Sequence, residues 1–202
     1  LGVLDGAGFF NADVPPAQRV AILADHQAVA SLAILGFVLW GFLQVVLTLA
    51  LYERLKGGSP GMAQTATAIG LILATLYIAA YMVTFVGIEK VVELHGHDPE
   101  QAGALYLALE SVELGITENE NITGLWVLLV SWTALRVRQL PRALNYIGIV
   151  AGVAGLLTLA PALDALVAVF GLAQIIWYVW LGVVMLRGSA KRESRTLAGE
   201  AA

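Results

Sequence analysis

An all-α fold, a polytopic transmembrane helix bundle of five spans with an outer amphipathic helix, is predicted by three observations. Residues 28–52, 61–88, 122–135, 143–160 and 165–186 form apolar stretches without a single Asp, Glu, Lys or Arg. Hydrophobic residues make up 59% of the 202 and charged residues only 13%, too little polar surface for a water-soluble domain of this length. The charges are also sorted. Arg54, Lys56, Arg136, Arg138, Arg142, Arg187, Lys191, Arg192 and Arg195 fall in the first and third connections and the C-terminal tail, one side of an alternately crossed plane. Asp5, Asp13, Asp25, Glu89, Glu93, Asp98, Glu100, Glu110, Glu113, Glu118, Glu120 and Asp164 fall on the other, with only Arg19 and Lys90 as basic residues there. The positive-inside rule makes the basic side cytoplasmic, which predicts a multi-pass protein of a bacterial cytoplasmic membrane with a cytoplasmic C-terminus.

In chain order, residues 1–10 read as the end of an apolar segment, so a signal or a sixth helix is expected upstream. Pro15-Pro16 opens a short interfacial helix. The first span, 25 residues long, crosses about 30 Å of hydrocarbon with some tilt, and Gly57-Gly58-Ser59-Pro60 turns the chain into the second. Residues 89–121 form the outer acidic connection. Within it Asp98 caps a helix over 99–116 that has Pro99 in its first turn and Ala104, Leu105, Ala108, Leu109 and Val112 along one apolar face. That helix is expected on, or dipping into, the outer leaflet, as a lid or docking surface. The third span has only 14 apolar residues where about 20 are needed, so Glu118, Asn119, Glu120 and Asn121 are expected at membrane depth. The fourth repeats small residues at Gly148, Gly152 and Gly155, a spacing that lets helix backbones approach closely. All 202 residues are expected to form a single membrane domain.

The absence of cysteine excludes disulfides and thiolate chemistry. No lysine within a span offers a retinal Schiff base, and no P-loop or nucleophile elbow is present. Ionisable groups can converge only on the outer side. Imidazole and carboxylate there suit zinc, iron or manganese, with His95, His97 and Glu110 as ligands, and a solvated loop explains the same residues. Glu113, Glu118 and Glu120 are the candidate acid/base residues: Glu113 shares a helix face with Glu110 at three-residue spacing, and a carboxylate drawn into a bilayer by the short third span, as Glu118 or Glu120 would be, must find a partner. For the two flanking the third span the alternative is interaction with the positive end of a helix at the headgroups. Polar span residues Gln44, Thr48, Thr84, Ser131, Thr133, Asn145 and Gln174 could line a ligand cavity and are expected mainly to bond between helices. At least half of the five tryptophans should anchor at the interface.

Three stretches, Asn121-Ile-Thr-Gly-Leu-Trp126, the run from Leu140 to Gly155 and Gln174-Ile-Ile-Trp-Tyr-Val-Trp-Leu-Gly182, resemble a bacterial family of six-helix integral membrane proteins catalogued as a domain of unknown function. The resemblance covers the C-terminal two-thirds. It implies the missing first helix and supplies no catalytic residues. The expected role is binding of a hydrophobic small molecule or of a membrane-protein partner, among membrane lipids and with no nucleic acid. The alternative is a membrane enzyme acting on a lipid-like substrate. No cofactor is specified.

Overall fold

The computed structural model describes residues 13–118, 120–163 and 165–200, with side chains through Arg187 except that of Pro161. The apolar opening at 1–10, Asn119, Asp164 and the side chains of Lys191, Arg192 and Arg195 lie outside the described residues. The described chain is helical and without strands: α1 (Pro16–Asp25), α2 (Gln27–Leu55), α3 (Pro60–His95), α4 (Pro99–Thr117), α5 (Glu120–Val137), α6 (Arg142–Leu157), a 3-10 turn (Pro161–Leu163) and α7 (Leu166–Glu200). It is an all-helical membrane protein. Its outward surface carries Leu39, Phe42 and Val46 of α2 and Leu172, Ile175 and Val179 of α7, an apolar coat that water would not support.

Among the described residues, three helices are long and apolar enough to cross a bilayer: α2, α3 and residues Leu166–Arg187 of α7. The other two expected spans are shorter. Helix α6 is apolar but has only 16 residues, Arg142 among them, and α5 has 18 and includes Glu120 and Arg136.

The helices divide into two compact units. In the first, α1, α4, the N-terminal part of α2 and the C-terminal part of α3 enclose Val20, Leu23, Ile34, Tyr81, Val91, Ala102 and Tyr106. Helix α4 starts as its sequence dictates. Asp98 accepts a hydrogen bond from the Gln101 amide at 3.0 Å, and Pro99 fills the first turn, where no donor is missed. Gly103 lies against the α1 backbone, where an added Cβ would stand 3.0 Å from the Ala17 nitrogen.

Most of the apolar face that the spacing marks on α4 stays outside the packed core. Ala104, Leu105, Ala108 and Val112 point outward, and the packed face is Ala102, Gly103, Tyr106 and Thr117 with Leu109, Glu110 and Glu113 half-buried. Outward-facing leucine is costly in water and costs nothing in lipid, so a helix beside a lipid phase can turn its polar stripe inward. Its register along α3 agrees with this. Leu109 abuts Gly87, Thr84 bonds Glu113, and the Tyr77 hydroxyl donates to the Thr117 carbonyl at 2.8 Å, well inside the apolar part of α3. The connection after α3 is thus a helix packed antiparallel along it, and only residues 96–98 form a short turn.

In the second unit α5 and α6 pack with almost nothing between backbones, and α7 meets α6 through Phe170 and Trp177. A Cβ on Gly152 would lie 2.5 Å from Leu128 Cβ and 2.7 Å from the Gly124 carbonyl oxygen, and one on Gly155 would lie 2.6 Å from the Glu120 carbonyl oxygen. Trp126 and Trp177 are fully buried, their rings edge to face at 5.8 Å. Trp132 and Trp180 stay exposed, as interfacial anchors should. The expected interhelical bonding of polar residues is only partly realised. Thr133 bonds the Leu129 carbonyl of its own helix, and Ser131 Oγ and Thr48 Oγ1 are buried with no partner among the described residues. After α5, Arg138 adopts φ 56° while the Gln139 amide donates to the Ala134 carbonyl, a Schellman turn with arginine at the position that favours glycine.

Candidate functional site: a cavity with a charged end

A cavity of about 360 Å³ opens within the first unit, inside the size range of small-molecule pockets. Leu23 of α1, Ala30, Ala33, Ile34 and Phe37 of α2, Ile88 of α3 and Leu109 and Leu114 of α4 make its apolar wall. Phe37 and Tyr81 stack across α2 and α3 with ring centroids 4.7 Å apart and planes 9° from parallel. The polar groups come from α1, α3 and α4: Arg19, Thr84, Tyr106, Glu110, Glu113 and Glu118.

Two arrangements share this polar end. In one, Arg19 forms a two-pronged ion pair with Glu110: its Nη1 donates to Oε2 at 3.2 Å, and its Nη2 contacts Oε1. Tyr106, one helical turn before Glu110, donates to the same Oε1 at 2.7 Å and accepts from Arg19 Nη2 at 3.1 Å. The guanidinium also lies 5.0 Å from the centre of the Tyr106 ring. Each group of the triad is thereby satisfied, which a partly buried ion pair requires. In the other arrangement Thr84 donates to Glu113 Oε2 at 2.5 Å. No Lys, Arg or His of the described residues forms an ion pair with Glu113.

The candidate residues are therefore separated into different roles. Glu113 is half-buried on the cavity wall. Glu118 closes α4, its amide bonded to the Leu114 carbonyl and its exposed carboxylate at the cavity margin. Glu120 opens α5 in the second unit. The structure does not gather His95, His97 and Glu110 into a ligand set: Glu110 is held by Arg19, His95 ends α3, His97 is exposed in the following turn, and no group of three or more His, Asp or Glu side chains is placed to hold a metal ion among the described residues. Lys90 pairs with Glu93 on the surface of α3. Asn121 accepts from Thr158 at 3.4 Å in the second unit.

The sequence did not point to Arg19 or Tyr106 as site residues, whereas Thr84 was among the polar span residues that could line a ligand cavity. Tyr106 and Glu110 stand at the i, i+4 spacing that lets side chains meet on a helix, a signal that was available. The Arg19 contact spans 91 residues and left no local trace.

Residues 3–187 match the family model described as Domain of unknown function (DUF4386), and the chain belongs to that family. The match extends well N-terminal to the three stretches that carry the resemblance in sequence. No curated protein and no solved structure matches the chain.

Proposed function

We propose that this protein is a non-catalytic ligand-binding bundle of a bacterial cytoplasmic membrane, taking up a hydrophobic small molecule in the cavity of its first unit. The observation that carries the reading is the cavity itself, an apolar chamber of about 360 Å³ with its polar groups confined to α1, α3 and α4. Small-molecule sites have this composition, a mostly apolar lining with a few polar groups that fix orientation. In lipid surroundings an empty chamber forfeits packing, which membrane helices depend on in place of hydrophobic burial. The enzymatic alternative has less support, because Glu110 is engaged by Arg19 and Glu120 belongs to the other unit.

Filling the chamber tests the reading. Native mass spectrometry of protein released from lipid nanodiscs should show a small molecule retained by the unaltered chain and lost from Ala33→Phe, with folding preserved. Identical adducts on both would refute it.

Orientation belongs to the same proposal, with α5 and α6 as the third and fourth of five crossings. The basic residues at 136, 138 and 142 and the acidic ones at 98 and 100 support it. Because the chain has no native cysteine, single cysteines at Ser59 and Gln101 report directly. Labelling of intact cells with an impermeant thiol reagent at Gln101→Cys and not at Ser59→Cys is expected. The reverse pattern would invert the topology.

A further inference from the structure

The cavity holds two similar polar arrangements, of which only one contains a cation. Arg19 sits over the Tyr106 ring and against the Glu110 carboxylate. One turn further along α4, Glu113 offers a carboxylate on a wall shared with the Tyr81–Phe37 aromatic stack, fixed through one oxygen by the Thr84 hydroxyl. Its other oxygen has no protein donor among the described residues. The wall carries one guanidinium against three carboxylates, Glu110, Glu113 and Glu118, leaving two carboxylates in excess. A half-buried carboxylate beside aromatic faces attracts a cation through both charge and the ring quadrupole, and desolvation strengthens both attractions.

Resting on the cavity reading above, we propose that the ligand is a lipophilic amine: its ammonium group donates to Glu113 beside the Tyr81–Phe37 stack, and its apolar body lies along Ile34, Ile88 and Leu109. Arg19 shows that the same wall already stabilises a positive charge by this chemistry. It also sets selectivity, since it neutralises Glu110 and leaves Glu113 as the carboxylate next to the apolar wall. An anionic amphiphile of the same length would meet the excess carboxylates and is excluded.

The test uses the full chain in lipid nanodiscs, with empty nanodiscs as reference, and three probes of equal length: decylamine, decanol and decanoate. Calorimetry at neutral pH should show decylamine binding once per chain, decanol at least tenfold weaker, and decanoate not above the lipid background. Glu113→Gln should reduce decylamine to the level of decanol. Equal binding of all three probes, abolished by Ala33→Phe, would overturn the amine assignment and leave the cavity reading standing. Binding of no probe, or binding that Ala33→Phe leaves unchanged, would remove both. If Glu113→Gln does not fold, the probe series on the unaltered chain decides alone.

Discussion

The two units of this protein use their polar residues and small residues in opposite ways. In the second unit, glycines at 124, 152 and 155 bring helix backbones together and leave no room for a side chain between them. In the first, polar side chains from three helices line a chamber. A membrane protein cannot rely on expulsion of apolar surface from water to hold its helices together. Close steric fit must substitute for it in one region, and a region that gives up that fit needs another source of cohesion. The Arg19–Glu110–Tyr106 triad supplies such cohesion by tying α1 to α4.

The contrast can be broken at its closest contact. Gly152→Leu should cause the largest loss, at least the roughly 1–3 kcal/mol typical of overpacking, because a Cβ there meets the Gly124 carbonyl as well as a side chain. A thermal denaturation series in detergent would register it, and an unchanged midpoint would mean that α5 and α6 do not meet through these glycines. Arg19→Ala comes next. Removing a guanidinium that donates to a partly buried carboxylate should cost roughly 1–3 kcal/mol, and the double change Arg19→Met with Glu110→Met should recover much of it, since no uncompensated charge remains. Failure of the double change to recover stability would assign the loss to packing. A smaller effect is expected for Thr84→Val, about 0.5–1.5 kcal/mol for one lost hydrogen bond. Lys90→Ala lies at the bottom of the scale. Its pair with Glu93 is exposed, so no measurable shift in Tm is expected.

The second unit was more legible in the sequence than the first. Gly148, Gly152 and Gly155 announce close approach by spacing alone, because small residues four apart admit few other uses in an apolar helix. The Asp98–Pro99 helix start was equally plain, since capping is local chemistry. The inward face of α4 was not. Ala104, Leu105, Ala108, Leu109 and Val112 mark an apolar face, but the periodicity of a helix does not reveal which residues of its other face neighbouring helices will cover. The candidate site was legible only in part. Glu113 was singled out in the outer polar cluster, on one helix face with Glu110, and does line the cavity. The proposed histidine ligands rested on nearness in sequence, which the turn at 96–98 does not convert into convergence with Glu110. Trp126 and Trp177 were indistinguishable from interfacial anchors until their burial could be seen, because indole serves both settings.

Arg138 ties the local conformation of one turn to the insertion of the whole chain. A residue with a side chain at φ 56° gives up backbone energy that glycine would not, and Arg138→Gly should make the end of α5 intrinsically easier to form. The same change would delete a positive charge from a segment where, in the proposed orientation, cationic residues keep the connection on the cytoplasmic side during biogenesis. Folding energy and topogenic information thus compete at a single position, and the arginine there favours the address over the turn.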